Sequence, residues 1–143
     1  MFDEPVRNVM QPSKVLKAEP ETLVSNGAKL MADKNVGAIM VVESDRLVGI
    51  FTERDVVCRV VARGLDARAT RLADVMTPAP LTVDPHKPFG YALLVMFKNG
   101  FRHLPVVQDG KPIGIVSSRS AMDPELEEFT FEASRRKRFE EMP

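Results

Sequence analysis

The sequence predicts an α+β fold: two copies of a βαββα unit, packed through their sheets with pseudo-twofold symmetry and followed by a C-terminal helix. Three observations predict it. Landmarks recur at an offset of 65 residues, pairing Leu16 with Leu81, Pro20 with Pro85, Met31 with Met96 and Gly49 with Gly114. That register runs without a gap from Leu16 to Asp55, and upstream Asn8-Val9-Met10 matches Asp74-Val75-Met76 with a shift of one residue. Short apolar runs and helical patterns follow each other in the same order in both halves. A unit of about sixty residues with two amphipathic helices does not bury both its faces alone, so the copies should pack together. On this division residues 1–66 hold the first copy with a linker helix, 67–122 the second, and 123–143 the final helix.

Taking the elements in order, Val15-Leu16-Lys17-Ala18 is a short extended segment closed by Glu19-Pro20. Thr22 reads as an N-cap, with Leu23, Gly27, Leu30 and Met31 on one helical face. Asn35-Val36-Gly37 stops that helix, with Asn or Gly suited to a left-handed cap. Ala38 to Val42 is an apolar run too short for a helix and reads as a buried strand. A polar turn at Glu43-Ser44-Asp45 leads into the returning strand Arg46 to Phe51. Thr52 then opens a helix through Arg63, with Gly64 at its C′ position. In the second copy Asp84-Pro85 reads as a helix start, Asn99-Gly100 as its stop, and Leu104 to Val107 and Ile113 to Val116 as a hairpin around Gln108-Asp109-Gly110-Lys111.

Composition narrows the function classes. Lys plus Arg and Asp plus Glu each number 20, so the chain is neutral and lacks the basic excess of a nucleic-acid or membrane-surface protein. No apolar run approaches the ~18 residues of a membrane span. One cysteine, Cys58, excludes an intramolecular disulfide, and it reads as a small core residue among Val56, Val57, Val60 and Val61. The methionines Met31, Met40 and Met96 fall on core faces, and His86 reads as exposed without a role. The acidic, proline-broken N-terminus is unlike a secretory leader, so a cytoplasmic location is expected. Two histidines and one cysteine build neither a Cys/His zinc cluster nor a nucleophile–base pair, and no Walker loop is present. The expectation is a protein that is not an enzyme and needs no metal.

The order of these motifs, twice over, resembles a tandem pair of cystathionine-β-synthase (CBS) domains, the Bateman module, and most closely its small stand-alone bacterial members. The resemblance rests on Asn8-Val9-Met10, Asp74-Val75-Met76-Thr77, Ala38 to Val42, Arg102-His103-Leu104-Pro105-Val106-Val107 and the two Gly-apolar-apolar-Thr/Ser endings. It covers Val6 to Ser120. The resemblance implies a sensor that binds an adenosine-type ligand between the copies: AMP, ADP or ATP first, with NAD or S-adenosylmethionine as further options. Thr52 and Asp55 would hold the ribose, and Arg102 and His103, with Arg54, the phosphates. Ile50, Thr77, Leu104 and Pro105 would line the cleft. A carboxylate can accept both hydroxyls of a diol, and a guanidinium matches a phosphate in charge and geometry. The second cleft, with Lys17, Gly37, Ala38, Ser117 and Ser120, would be degenerate, because Ser120 replaces the carboxylate. Thr52 and Asp55 also satisfy a simpler description, an acidic capping box that needs no ligand.

Asp123-Pro124-Glu125 begins the last helix, with an N-cap, proline at N1 and acids in the first turn. Its basic run Arg135 to Arg138 is matched by Glu128, Glu132, Glu140 and Glu141 at helical spacing, so it reads as paired charges rather than a nucleic-acid site. The resemblance also implies a homodimer through the apolar helices at Val56–Val61 and Leu93–Phe97, and a regulated protein that reads the state. The alternative is a ligand-free dimeric scaffold that uses the C-terminal helix to bind a partner.

Overall fold

The computed structural model describes residues 2–10 and 15–121; the helix expected from Asp123 onward lies outside the described residues. The elements are α1 (Val6–Val9), β1 (Lys17–Ala18), α2 (Val24–Lys34), β2 (Ala38–Glu43), β3 (Arg46–Thr52) and α3 (Glu53–Asp55), which continues as a π-helix over Val56–Val61. Then come α4 (Leu72–Val75), β4 (Thr77–Pro78), α5 (Phe89–Asn99), β5 (His103–Gln108), β6 (Lys111–Ser117) and a 3-10 turn, Ser118–Ala121. The bounds of α5, β5 and β6 lie 65 residues beyond those of α2, β2 and β3, and α4 lies 66 beyond α1. The duplication seen in sequence is thus a duplication of backbone.

Local chemistry repeats with it. Asn35 (φ 53°) and Gly100 (φ 71°) close α2 and α5 in the left-handed conformation. Both hairpins turn through two residues of positive φ, Ser44-Asp45 and Asp109-Gly110, the type I′ pattern whose twist matches the strands. The first sheet runs β1-β2-β3-β4, with β1 parallel to β2, and the second is the β5-β6 hairpin. Val83 bridges Val106 in parallel, as Ala18 pairs with Val41. Each hairpin shifts register at the same place, Val41/Val42 and Val106/Val107.

The two cores exchange their entry helices. Leu72 and Val75 of α4 pack with Leu16, Val24, Ile39, Val41 and Phe51, whereas Val6 of α1 packs with Phe89, Met96, Leu104, Val106 and Val116. Backbone bonds anchor each visitor in the same way: Leu72 N–H donates to Thr22 O (2.8 Å) and Val6 N–H to Lys87 O (2.8 Å). The methionine that follows each visiting helix then seats on a glycine. A Cβ on Gly49 would run into the Met76 sulfur, and one on Gly114 would lie 2.6 Å from the Met10 sulfur. Only glycine lets backbone and thioether approach so closely. Between the copies, Ala38, Ile50 and Ile115 form a small apolar cluster where β3 and β6 meet.

Four local expectations are corrected. The first long helix starts at Val24, and Thr22 makes no cap. Asp84-Pro85 is a turn, with Asp84 Oδ1 accepting from His86 N–H at 2.8 Å, and α5 starts only at Phe89. The helix after Thr52 is α-helical for three residues and then π-helical, with i to i+5 bonds such as Ala62 N–H to Val57 O. Cys58 is exposed, because only Val60 of its run is fully buried. Among the described residues no helix is long and apolar enough to cross a membrane.

Candidate functional site

The ends of the two hairpins meet. Ala38 pairs with Thr52 at the end of the first and His103 with Ser117 at the end of the second. Gly37 lies between them: a Cβ there would stand 3.1 Å from Glu53 Oε1 and 3.4 Å from His103 Cε1. Gly37 and Ala38, assigned from sequence to one cleft, therefore adjoin His103, assigned to the other. Thr77 of β4 pairs with Ile50, so these two cleft-lining candidates are brought together.

Thr52 and Asp55 form the complete capping box. Asp55 N–H donates to Thr52 Oγ1 (3.3 Å), and Thr52 N–H donates to Asp55 Oδ2 (2.9 Å). Thr52 Oγ1 also donates to Asp55 Oδ2 (3.1 Å). The other oxygen, Oδ1, faces Arg59 Nε at 3.5 Å, and the Asp55 side chain is only 14% exposed. A carboxylate offers about four lone-pair directions, so Oδ1 retains capacity for a hydroxyl donor. The cap and a ligand role are compatible in geometry.

The basic candidates differ in state. Arg54 Nη1 donates to Gly100 O (3.2 Å), the carbonyl of the α5 cap, and so ties the first copy to the second. Arg102 is exposed, and its side chain makes no hydrogen bond or ion pair among the described residues. Its carbonyl accepts from Ser118 N–H at 2.9 Å. His103 is half-buried; burial pushes its pKa below the ordinary histidine value, Glu53 opposes that shift, and Arg102 reinforces it.

Other assignments fall elsewhere. Leu104 does not line a cleft, since it is fully buried in the second core: strand alternation turns Leu104 and Val106 inward and His103 and Pro105 to the opposite face. Lys17 lies with Asp45, Lys111, Pro112 and Ile113 around a pocket of about 360 Å³ beside the hairpin turns. A second pocket, of about 590 Å³, is lined by Arg102 and Ser118 with Met96, Phe97 and Phe101. Neither of these two is lined by Thr52 or Asp55. The side chain of Ser120 lies outside the described residues. Sequence reading passed over Glu53, which stands beside His103, and Arg59, whose i+4 spacing from Asp55 was the available signal. Among the described residues no group of three or more His, Cys, Asp and Glu side chains could hold a metal ion.

Known proteins share this architecture. The family model for the CBS domain matches residues 6–62 and again 72–124. The meiotically up-regulated gene 70 protein of Schizosaccharomyces pombe is 37% identical over 85% of this chain, which spans only 20% of that protein's length. The crystal structure of a conserved protein from Pyrococcus horikoshii superposes with a TM-score of 0.79 at 28% identity, covering 85% of this chain and 92% of that one. The CBS domain pair of MJ0100, solved in complex with 5′-methylthioadenosine and S-adenosyl-L-methionine, superposes with a TM-score of 0.74 at 22% identity, over 82% of this chain and 96% of that one.

Proposed function

The chain belongs to the CBS-domain family, and from that premise we propose that it is a regulatory module that binds one adenosine-type ligand between its copies and transmits the event through their packing. The supporting observation is the pair of hairpin ends. The first brings Thr52 and a largely buried Asp55 carboxylate with a free lone-pair direction; the second brings Arg102, with no side-chain partner among the described residues, and His103. A diol on Asp55 Oδ1 and an anionic group toward Arg102 and His103 would use both. The ligands of MJ0100 favour the adenosine class, with AMP, ADP and ATP foremost for a site that ends in basic residues. The second cleft has Ser120 in place of Asp55 and uncharged Gly37 and Ala38 in place of Arg102 and His103, so one ligand per chain is expected. Catalysis has no part in this reading.

The test is calorimetric titration with AMP, ADP, ATP, NAD and S-adenosylmethionine. Binding of one of them at 100 times its Kd should stabilise the fold by about 2.7 kcal/mol. No response to any would remove the reading.

An exposed apolar surface favours a second property, association of two copies. Val57 (61% exposed) and Val61 (68%) on the π-helix and Phe97 (85%) on α5 are left to solvent, with Tyr91 and Leu94 beside the last. Side chains of this size seldom stay in water without a partner surface. Sedimentation should give a homodimer that Phe97→Glu converts to monomer. If the dimer persists without any nucleotide response, the ligand-free scaffold replaces the sensor.

A further inference from the structure

Arg59 joins the candidate ribose carboxylate to the helix that the first copy receives from the linker. Its Nε faces Asp55 Oδ1 at 3.5 Å, and its Nη1 donates to two carbonyls, Val75 O (3.2 Å) and Met76 O (3.1 Å). Those carbonyls close α4, a helix of four residues whose last C=O groups have no intrahelical partner. A guanidinium is the one side chain with enough fixed donors to span a carboxylate and two carbonyls at once. The chain of contacts then returns to where it began: Met76 seats on Gly49, and Gly49 opens the strand end that carries Thr52 and Asp55. In the second copy this brace is missing from the sequence, since the positions 65 residues beyond Asp55 and Arg59 are Ser120 and Pro124.

We propose that Arg59 is a positioning residue that braces the Asp55 carboxylate against the C-terminal carbonyls of α4, so that a hydroxyl arriving at Asp55 is felt by the segment Val75–Pro78. The brace stands on the ligand-free geometry; its signalling role rests on the ribose reading above. A ligand hydroxyl on Oδ1 shares that oxygen with Arg59, which weakens or re-aims the guanidinium and frees the carbonyls it holds. Met76 and Thr77 then shift against Gly49 and Ile50, and the motion enters the first sheet through β4.

Amide hydrogen exchange at Met76 reads the brace, because Met76 N–H donates to Leu72 O at 2.8 Å and closes α4. In the ligand-free chain Arg59→Gln should speed exchange at Met76 about tenfold, with Asp55→Asn producing a similar change. The double variant should exceed neither single variant, since both break one unit. No change in Arg59→Gln would overturn the brace. So would a change in Arg59→Gln without one in Asp55→Asn, which would make Arg59 a plain cap on α4. The ligand arm uses AMP, ADP, ATP and S-adenosylmethionine. Whichever binds the wild type should alter Met76 exchange there, bind Arg59→Gln about tenfold more weakly, and leave Met76 exchange in that variant unmoved. Equal binding and equal response in both chains would overturn the signalling role and leave the ribose reading standing. Failure of all four to bind the wild type would remove the ribose reading, while the exchange results still decide the brace.

Discussion

The two copies agree wherever backbone is concerned and differ wherever chemistry is. Their long helices, hairpins, turn conformations and register shifts coincide at a constant offset, and each seats a methionine from a visiting segment on a glycine. Yet where the first hairpin begins with Gly37-Ala38 the second has Arg102-His103, and where the first ends in Thr52 and Asp55 the second ends in Ser117 and Ser120. α2 is a polar helix, while α5 exposes Tyr91, Leu94 and Phe97. The difference teaches that duplication preserved what packs and divided what could bind: one copy holds the carboxylate, the other the cations.

The largest effects should break the equality of the cores. Phe51 and Val116 occupy matching buried positions. Phe51→Ala should cost about 3–5 kcal/mol of unfolding free energy, and Val116→Ala about 2 kcal/mol; equal costs in denaturant melts would contradict unequal packing. A smaller pair should be symmetric. Gly49→Val and Gly114→Val each force a side chain into the visiting methionine, for about 1–3 kcal/mol, and Met76→Ala or Met10→Ala should recover part of the loss in its own copy only. Recovery by the wrong methionine would contradict the exchange of entry helices.

Smaller again is the cap. Thr52→Ala removes a formed capping box and should cost about 1 kcal/mol, whereas Ser117→Ala removes no cap bond found among the described residues. The smallest effect is pH-dependent and belongs to the second copy alone. With its folded pKa depressed, His103 is harder to protonate in the native state than in the unfolded chain. Its contribution to stability is complete above the unfolded value of about 6.5 and is lost as pH falls below it toward the folded pKa. Denaturation midpoints between about pH 7.5 and 5 should fall less steeply in His103→Gln. An anionic ligand favours the imidazolium, so binding should take up a proton and tighten as pH falls; proton release on binding would contradict contact with His103.

Much of this was legible in the sequence because hydrophobic periodicity and glycine placement survive duplication. The offset of 65 residues located α2, β2, β3 and their partners before any coordinates. Helix starts were less legible: Thr22 and Asp84 carry side chains that cap helices and also make turns, and only tertiary context chooses. The exchange of α1 and α4 left no local trace, since which core receives Val6 or Leu72 depends on contacts about 65 residues away. Leu104 was misplaced by treating consecutive strand residues as sharing a face. Cys58 was misplaced by taking a run of valines for a buried stripe, when the helix buries Val60 and exposes Val57 and Val61. The Thr52–Asp55 cap was readable; its tie to Arg59 and α4 needed the fold.

The central claim is that the divided chemistry makes one adenosine-binding site from two copies. Isothermal titration of the wild type, Asp55→Ala and Arg102→Ala with AMP, ADP and ATP tests it most directly. The account predicts one ligand per chain in the wild type and a marked loss of affinity in both variants, although the two residues belong to different copies. Two equivalent sites per chain, or binding that survives both substitutions, would contradict it.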